Sequence, residues 1–264
     1  MSRTTVGVPL LLFAVATSVP AADLAEIKAR GILRAIAGAD EAPEMFSFAA
    51  SGEPGFEREM LEGFARLHGL KVEPVRVANA DERLKALDRG TGDLIIGIVE
   101  TEERKKLVSF TAEVIPVRHV VFSRKPHGVV GTIEEFRAEK VGVAKGTSWA
   151  QAAVEAGVDP AQMQQYPDRN AVFEALRRGA ITASVITVSD LILAAKQEPE
   201  LEAGVFLGAP ISAGWAVRKS DPQLLAALNQ YLGNYRRGPS WNRLVVKYFG
   251  EQALTVLGRA RQQP

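Results

Sequence analysis

The sequence predicts an α/β protein built from two similar lobes. Residues 94–99 form a short apolar run rich in β-branched residues, which is typical of a strand buried inside a mainly parallel sheet. A helix that ends at a glycine and leads into such a strand occurs twice, at residues 81–99 and 168–188, although this succession also arises by chance in α/β proteins. The 264 residues, 47% of them hydrophobic, suffice for one large domain or for two lobes of about a hundred residues each.

Helices and strands alternate through the first half of the chain. Phe56, Met60 and Phe64 recur at helical spacing, and Gly69 ends that helix. In order, we predict a helix at 23–30, a strand at 31–37, a turn-rich stretch at 40–54, a helix at 56–67, a strand at 71–77, a helix at 81–89 and the strand at 94–99.

Helix-capping patterns mark the second half. Thr132 with Glu135 three residues later forms a capping-box pattern, and Asp221 precedes Pro222, a proline suited to the first helical position. In order, we predict a strand at 120–123, a helix at 132–139, a strand at 140–145, a helix from residue 147, a helix at 168–179, strands at 181–188 and 215–217, and two helices with apolar faces at 224–235 and 241–249.

Composition excludes several classes of function. The formal net charge is +1, with no block of like charges, so neither a nucleic-acid surface nor a polybasic membrane patch is expected. Without cysteine, the chain has no disulfide scaffold and no thiol nucleophile. His68, His119 and His127 lack metal-ligand spacing and are expected at the surface. We therefore expect no metal and no cofactor.

The N-terminal residues 1–22 have the pattern of a secretory signal peptide. Arg3 supplies the positive start, residues 6–19 are apolar and uncharged, and cleavage is expected near Ala21 and Ala22. A buried N-terminal helix is the alternative, but Pro9 and Pro20 argue against it. This predicts a protein of the periplasm.

Two segments carry residues suited to binding an anion. Arg104 closes the polar turn that follows the buried strand, at the sheet edge where α/β proteins bind ligands, and its guanidinium could hold a carboxylate by two hydrogen bonds. Alternatively, Arg104 pairs with Glu100 or solvates the start of a helix. Gly146, Thr147 and Ser148 follow a strand and begin a helix, whose free N–H groups favour negative charge, unless they form only an ordinary cap.

The ordered set of segments resembles a known family. The family is that of amino-acid-type (family 3) periplasmic solute-binding proteins of ABC importers, which the segments resemble in their order along the chain. The segments that carry this resemblance are residues 33–48, 55–59, 92–104, 141–148, 175–179, 215–219 and 247–250. The resemblance implies a type II fold in which two α/β lobes, each a mixed, mainly parallel sheet flanked by helices, are joined by a two-strand hinge. It places lobe 1 at residues 23–118 plus 214–264 and lobe 2 at 119–213.

The resemblance also assigns binding roles. Arg104 matches the arginine that clamps a ligand carboxylate, and the backbone N–H groups at Thr147 and Ser148 match those that complete the clamp from the other lobe. Asp40 matches a first-lobe position that lines the cleft.

Other positions depart from the family pattern. Thr187 stands where the family usually has the aspartate that binds the ligand ammonium, and threonine cannot neutralise a cation. The stretch from Asp93 to Arg104 is one residue shorter than in typical members, so Gly97, Val99 and Glu100 are alternatives for the usual pocket positions. Thr101, in the same turn, is a further expected ligand-binding residue. Trp149 is expected to substitute for the aromatic residue that often stacks on the ligand.

Two interpretations of the ligand remain open. Either Glu100 or Asp40 supplies the missing negative charge, or the ligand is a carboxylate without an ammonium group, because an unpaired buried charge is costly. We favour the second.

The resemblance predicts a monomeric, non-enzymatic receptor that closes on a small amino or organic acid and docks on the membrane permease of an ABC importer. Two alternatives remain. One is an accessory periplasmic partner of a redox or sensor system with a degenerate cleft. The other is an enzyme similar to cyclohexadienyl dehydratase, for which Glu100 is the acid nominated.

Overall fold

The computed structural model describes residues 23–261, apart from the side chain of Arg259, and shows helices packed around a mixed sheet. This confirms the predicted α/β class. The predicted signal peptide, residues 1–22, lies outside the described residues. Between residues 23 and 261, no helix has both the length and the apolar character needed to cross a bilayer.

The first part of the chain follows the predicted alternation closely. Its elements are α1 (Leu24–Arg30), β1 (Ile32–Gly38), α2 (Phe56–Leu67), β2 (Lys71–Val77), α3 (Ala80–Asp88), β3 (Leu94–Val99), α4 (Glu102–Leu107) and β4 (Val108–Phe110). Glycine ends α1 as a left-handed cap, because Gly31 adopts φ 73° and its N–H reaches the last carbonyls of the helix.

The second part begins and ends with long strands. Its elements are β5 (Ile115–Arg124), α5 (Ile133–Ala138), β6 (Gly142–Ala144), α6 (Ser148–Glu155), β7 (Gln164–Tyr166), α7 (Arg169–Arg177), β8 (Ala183–Thr187), α8 (Val188–Gln197), β9 (Leu201–Arg218), α9 (Pro222–Arg237), α10 (Ser240–Phe249) and α11 (Gln252–Ala260). The predicted capping box at Thr132 and Glu135 is confirmed, since both reciprocal hydrogen bonds are present.

One seven-stranded sheet has the order β2-β1-β3-β9-β5-β8, with β4 also paired to β9. Strand β1 pairs in parallel with β2 and β3, whereas β9 is antiparallel to β3 and to β5. The β5–β9 pairing extends from Ile115 opposite Ala213 to Arg124 opposite Leu201. These two strands therefore run from one part of the molecule into the other, as a two-strand hinge requires.

Separate hydrophobic cores lie at the two ends of this strand pair. The core around Phe46, Phe56 and Trp215 is built mainly from elements before β5 and after β9. A second core, around Phe122 and Phe136, lies within residues 120–207. The first core also includes Val188 and Leu193 of α8, which the sequence analysis placed in lobe 2, and the lobe boundaries stay a prediction.

Several elements differ from the sequence-based expectation. Strand β9 has 18 residues, whereas a strand was predicted only at 215–217. Gly204, Gly208 and Pro210 interrupt its apolar pattern, so no regular alternation marks it. Helix α8 continues directly from β8, and its apolar start merged with the predicted strand at 181–188. Strands β4 and β7, with three residues each, and helix α11 were not predicted.

Candidate functional site

A polar cleft lies beside the β5–β9 pair. Residues from the parts of the molecule around each of the two cores line it. From the side of β1, α2, α3, β3 and α4, the lining includes Asp40, Glu41, Glu57, Arg83, Gly97 and Arg104. From the side of β6, α6, α7 and α8, it includes Thr147, Ser148, Trp149, Arg169, Thr187 and Asp190.

Arg104 extends from α4 across this cleft. The Thr101 hydroxyl caps α4 by accepting from the Arg104 backbone N–H at 3.3 Å. The guanidinium donates through Nη1 to the Val99 carbonyl at 2.8 Å and through Nη2 to the Gly146 carbonyl at 2.9 Å. Burial and the nearby charge of Arg83 lower the pKa of Arg104 to about 10, so it remains charged at neutral pH.

The Gly146 turn presents the start of α6 to Arg104. Gly146 adopts φ 69°, a left-handed conformation that favours glycine. The Thr147 hydroxyl donates to the Ala144 carbonyl at 2.7 Å and does not cap α6. The ordinary side-chain cap considered from sequence is therefore absent at Thr147, and the first amides of α6 keep hydrogen-bonding capacity for an anion.

His119 packs behind this turn. Its Nε2 lies 2.9 Å from Ser148 Oγ, and its side chain is buried rather than at the expected surface. Burial and the positive charge of Arg104 lower the pKa of His119 to about 4. The neutral imidazole positions the Ser148 hydroxyl without adding a second positive charge beside Arg104.

Asp40 and Arg169 meet across the cleft. Asp40 Oδ2 accepts from the Arg169 backbone N–H at 3.2 Å, and the Arg169 guanidinium donates to the Asp40 carbonyl. Arg169 Nη1 also lies 3.7 Å from Asp190 Oδ1. This arginine therefore links carboxylates from the two sides of the cleft.

Asp190 places a largely buried carboxylate next to Thr187. The Thr187 hydroxyl donates to Asp190 Oδ2 at 2.6 Å and caps α8 by accepting from the Asp190 N–H at 3.2 Å. Burial raises the pKa of Asp190, and the charge of Arg169 opposes this effect. Sequence reasoning missed Asp190. A threonine followed three residues later by an acid, at the start of an apolar run, is the helix-start pattern that could have found it.

Glu57 is a second buried acid that sequence reasoning missed. Its Oε2 accepts from Trp215 Nε1 at 2.9 Å. Burial and the charge of Glu41 raise the pKa of Glu57 to about 8. Because this carboxyl belongs to a helix with an ordinary amphipathic pattern, no sequence signal distinguishes it from a surface glutamate.

The structure brings seven of the nine proposed site residues to the lining. They are Asp40, Gly97, Arg104, Thr147, Ser148, Trp149 and Thr187. It does not bring Glu100 and Thr101 there. The Glu100 carboxylate pairs with Lys105 at 2.8 Å, and Thr101 serves as the helix cap. Pairing with Lys105 also replaces the Glu100–Arg104 pair considered from sequence.

A family model described as "Bacterial extracellular solute-binding proteins, family 3" matches residues 33–251. The chain belongs to this family. The membership confirms the resemblance stated from the sequence and shows a solute-binding protein of an extracellular class.

Solved structures of amino-acid-binding proteins share the fold. A mutant of ArgBP from T. maritima is 26% identical, with a TM-score of 0.76 over 86% of this chain and 99% of its own. The solute receptor for L-cysteine of Neisseria gonorrhoeae is 25% identical, with a TM-score of 0.76 over 92% and 98%. An ancestral amino acid-binding protein, a precursor of cyclohexadienyl dehydratase, is 26% identical, with a TM-score of 0.75 over 85% and 98%. These likenesses confirm the two-lobed periplasmic-binding-protein fold.

Curated relatives of this family 3 chain carry an enzyme's name. The membrane-bound lytic murein transglycosylase F of Pseudomonas putida is 28% identical over 246 residues, which are 89% of this chain and 49% of that protein. The chain thus spans about half the length of the curated relatives it matches. Together with the dehydratase precursor, these relatives contradict the prediction that the chain is not an enzyme, which is therefore wrong as stated.

Proposed function

We propose that this solute-binding protein is an extracytoplasmic receptor that closes on a small amino acid or related carboxylate and delivers it to an ABC importer. The observation that carries the proposal is the alignment of the Arg104 guanidinium with the Gly146 turn and the uncapped start of α6 across one cleft. Closure about β5 and β9 would bring both halves of this clamp onto one carboxylate.

Both halves of the clamp favour binding of an anion. Arg104 offers a charge-assisted, planar pair of donors, and the first amides of α6 add the positive end of a helix dipole. Because Nη2 of Arg104 now donates to the Gly146 carbonyl at 2.9 Å, a carboxylate bound here would exchange that contact for a charged acceptor.

Asp190 changes the expectation about the ligand's other end. Its largely buried carboxylate lies within hydrogen-bonding distance of Thr187, the residue that replaces the family's usual aspartate. It could neutralise an ammonium group, which neither Glu100 nor Thr187 can do here. We therefore propose an amino acid as the ligand, in place of the ammonium-free acid favoured from sequence.

The test is calorimetric titration of the purified protein with the standard amino acids and with the matched acids that lack an ammonium group. Replacing Arg104 by Met should weaken binding about a hundredfold or more, because a buried carboxylate then loses its charged partner. The Lys105→Met variant is the control, since Lys105 pairs with Glu100 and Glu102 on the exposed side of α4. Equal affinity in all three proteins would overturn the proposal.

Asp190→Asn separates the two ligand classes. If the ligand is an amino acid, this variant should lose amino-acid affinity while any binding of the matched organic acids is retained.

The permease partner and export to the periplasm rest on the family alone. Pull-down by the co-expressed permease, and N-terminal sequencing of protein from a periplasmic fraction, would test them.

A second candidate is an accessory role in cell-wall turnover. It is favoured by the match between 89% of this chain and 49% of proteins named membrane-bound lytic murein transglycosylase F. In this case the cleft would bind a cell-wall fragment and act on a transglycosylase supplied by another part of the protein or another chain. Binding of peptidoglycan fragments in preference to free amino acids would support this candidate over the importer receptor.

A further inference from the structure

Glu57 holds a carboxyl group at the floor of the cleft, in the first turn of α2. Its side chain is completely buried, and Trp215 Nε1 donates to Oε2 at 2.9 Å. Among the described residues, the other oxygen, Oε1, has no hydrogen-bond partner. A buried oxygen without a partner costs free energy, so its retention beside a binding cleft calls for an explanation.

Gly97 explains how Glu57 reaches the cleft. The pairing of β3 with β9 shifts register between Ile95 and Ile98, and Gly97 lies within this bulge at φ 53°. A Cβ atom at position 97 would lie only 2.8 Å from Glu57 Oε1. The absence of a side chain at Gly97 therefore lets this oxygen approach the strand closely, at a point where both residues line the cleft.

The surroundings decide the charge of Glu57. Burial raises its pKa to about 8, and the negative charge of Glu41 adds to this effect. The hydrogen bond from Trp215, the proximity of the Gly97 backbone N–H and the positive charge of Arg83 oppose it. Arg83 is already paired with Glu41 at 2.7 Å. At pH 7 the group is therefore mainly a neutral acid, and the proton belongs on Oε1, because Oε2 accepts from Trp215.

We propose that Glu57 is a specificity-determining residue whose Oε1–H donates a hydrogen bond to an uncharged oxygen of the bound solute, at a group separate from the carboxylate held by Arg104. This rests on the proposed function, because it presumes a carboxylate bound in the cleft. A hydrogen-bond donor at Glu57 restricts the class of ligand to small acids that carry a second oxygen acceptor, such as an amide or a ketone. Alkyl side chains of the same shape would leave the buried donor unpaired.

Shape-matched probes test this selectivity. The pairs are L-asparagine with L-leucine, and 4-oxopentanoate with 4-methylpentanoate, titrated by calorimetry at pH 6.5 and pH 9. At pH 6.5 we expect the oxygen-bearing member of a pair to bind at least tenfold more tightly. At pH 9 the preference within the 4-oxopentanoate pair, which carries no ammonium group that titrates in this range, should shrink, because Glu57 loses its proton and then faces the solute oxygen as an anion.

Three variants assign the effect to Glu57. Glu57→Gln keeps an uncharged donor, so it should retain the preference and lose its pH dependence. Glu57→Met removes the donor and should abolish the preference. Glu62→Gln is the control on the same helix, because Glu62 pairs with Arg58 away from the cleft. If Glu57→Met does not fold, titration of the wild type with 4-oxopentanoate at pH 8.5 in two buffers of different ionisation enthalpy should still show proton uptake on binding, absent in Glu57→Gln.

The outcomes separate this inference from the proposed function. Equal affinity within each pair, or proton release on binding, would overturn the role of Glu57 while carboxylate binding through Arg104 stands. Absence of binding by every probe and every standard amino acid would overturn both.

Discussion

His119 lies behind the proposed carboxylate clamp, with its Nε2 2.9 Å from Ser148 Oγ. Protonation of this imidazole would bury a cation close to Arg104, and both burial and that charge lower the pKa of His119 to about 4. An unfolded chain would titrate His119 near its ordinary value of about 6.5. The folded protein therefore binds this proton less readily than the unfolded one.

The consequence is a loss of stability in acid. The stabilisation is complete above pH 6.5 and is lost as the pH falls toward 4, by about 2–3 kcal/mol between pH 7 and pH 4.5. His119→Gln, which keeps a polar atom for Ser148, should lose correspondingly less stability over this interval. Urea denaturation at both pH values measures the difference, and His127→Gln is the surface control. Identical pH slopes for wild type and His119→Gln would contradict this account.

At this scale, the extent to which sequence predicted the site depended on the kind of residue. Arg104 could be nominated because a strand end and a charged turn are both visible in sequence. Glu57 and His119 could not, because their chemistry arises from burial against Trp215 and Ser148, far away in the chain. Asp190 lies three residues after Thr187, where its only sequence signal is a helix-start pattern, which indicates a cap and not a carboxylate that lines a cleft.

At the scale of elements, the turn between β6 and α6 has two functions. It leaves the start of α6 uncapped, and it brings Gly146 against the other side of the cleft. A Cβ at Gly146 would overlap the Asp81 carboxylate, with Oδ1 only 1.8 Å away. Asp81 also raises the pKa of Arg104 by its negative charge, so the turn, α3 and α4 form one contact region.

This contact region predicts a specific effect of Gly146→Ala. The variant should weaken binding of the carboxylate ligand about tenfold, because Asp81 must turn away before the cleft can close, at a cost of roughly 1–2 kcal/mol. Gly179→Ala is a matched control, since Gly179 has a similar φ of 67° and open space where the Cβ would lie. Both variants should lose similar stability through left-handed strain, of about 1 kcal/mol. Calorimetric titration distinguishes them, and equal binding by the two would show that Gly146 only serves the turn.

The strands and helices were predicted where periodicity was regular, as in α2 and β3. They were missed where glycine, proline or mixed exposure broke the pattern, as in β9, whose 18 residues connect both cores. This strand pairs with β3, β4 and β5 at once. Its extent is therefore decided by three partners distant in sequence, which local patterns do not report.

For the whole molecule, the described arrangement has the two sides of the cleft in contact. Arg104 donates to Gly146, Arg169 to Asp40, and Gln197 Nε2 to Glu44 Oε1 at 3.4 Å. Repeated helix–glycine–strand patterns predicted two lobes, but not how they face each other, because that orientation depends on a few polar contacts across the cleft. Such contacts stabilise one member of an open–closed equilibrium by only a small amount of free energy.

Arg169 is the residue through which this equilibrium can be measured. Arg169→Ala keeps the backbone hydrogen bond to Asp40 Oδ2 but removes the guanidinium contacts to the Asp40 carbonyl and to Asp190. These contacts are worth about 1–2 kcal/mol, so the variant should lower the closed-to-open ratio roughly five- to thirtyfold. Arg177→Ala is the control on the same helix, because Arg177 pairs with Glu174 and Glu198, which lie on its own side of the cleft. Small-angle scattering without added solute should give a larger radius of gyration for Arg169→Ala than for wild type or Arg177→Ala. An unchanged radius would mean that the Arg169 contacts do not hold the lobes together, and that closure depends on the clamp formed by Arg104 and the Gly146 turn.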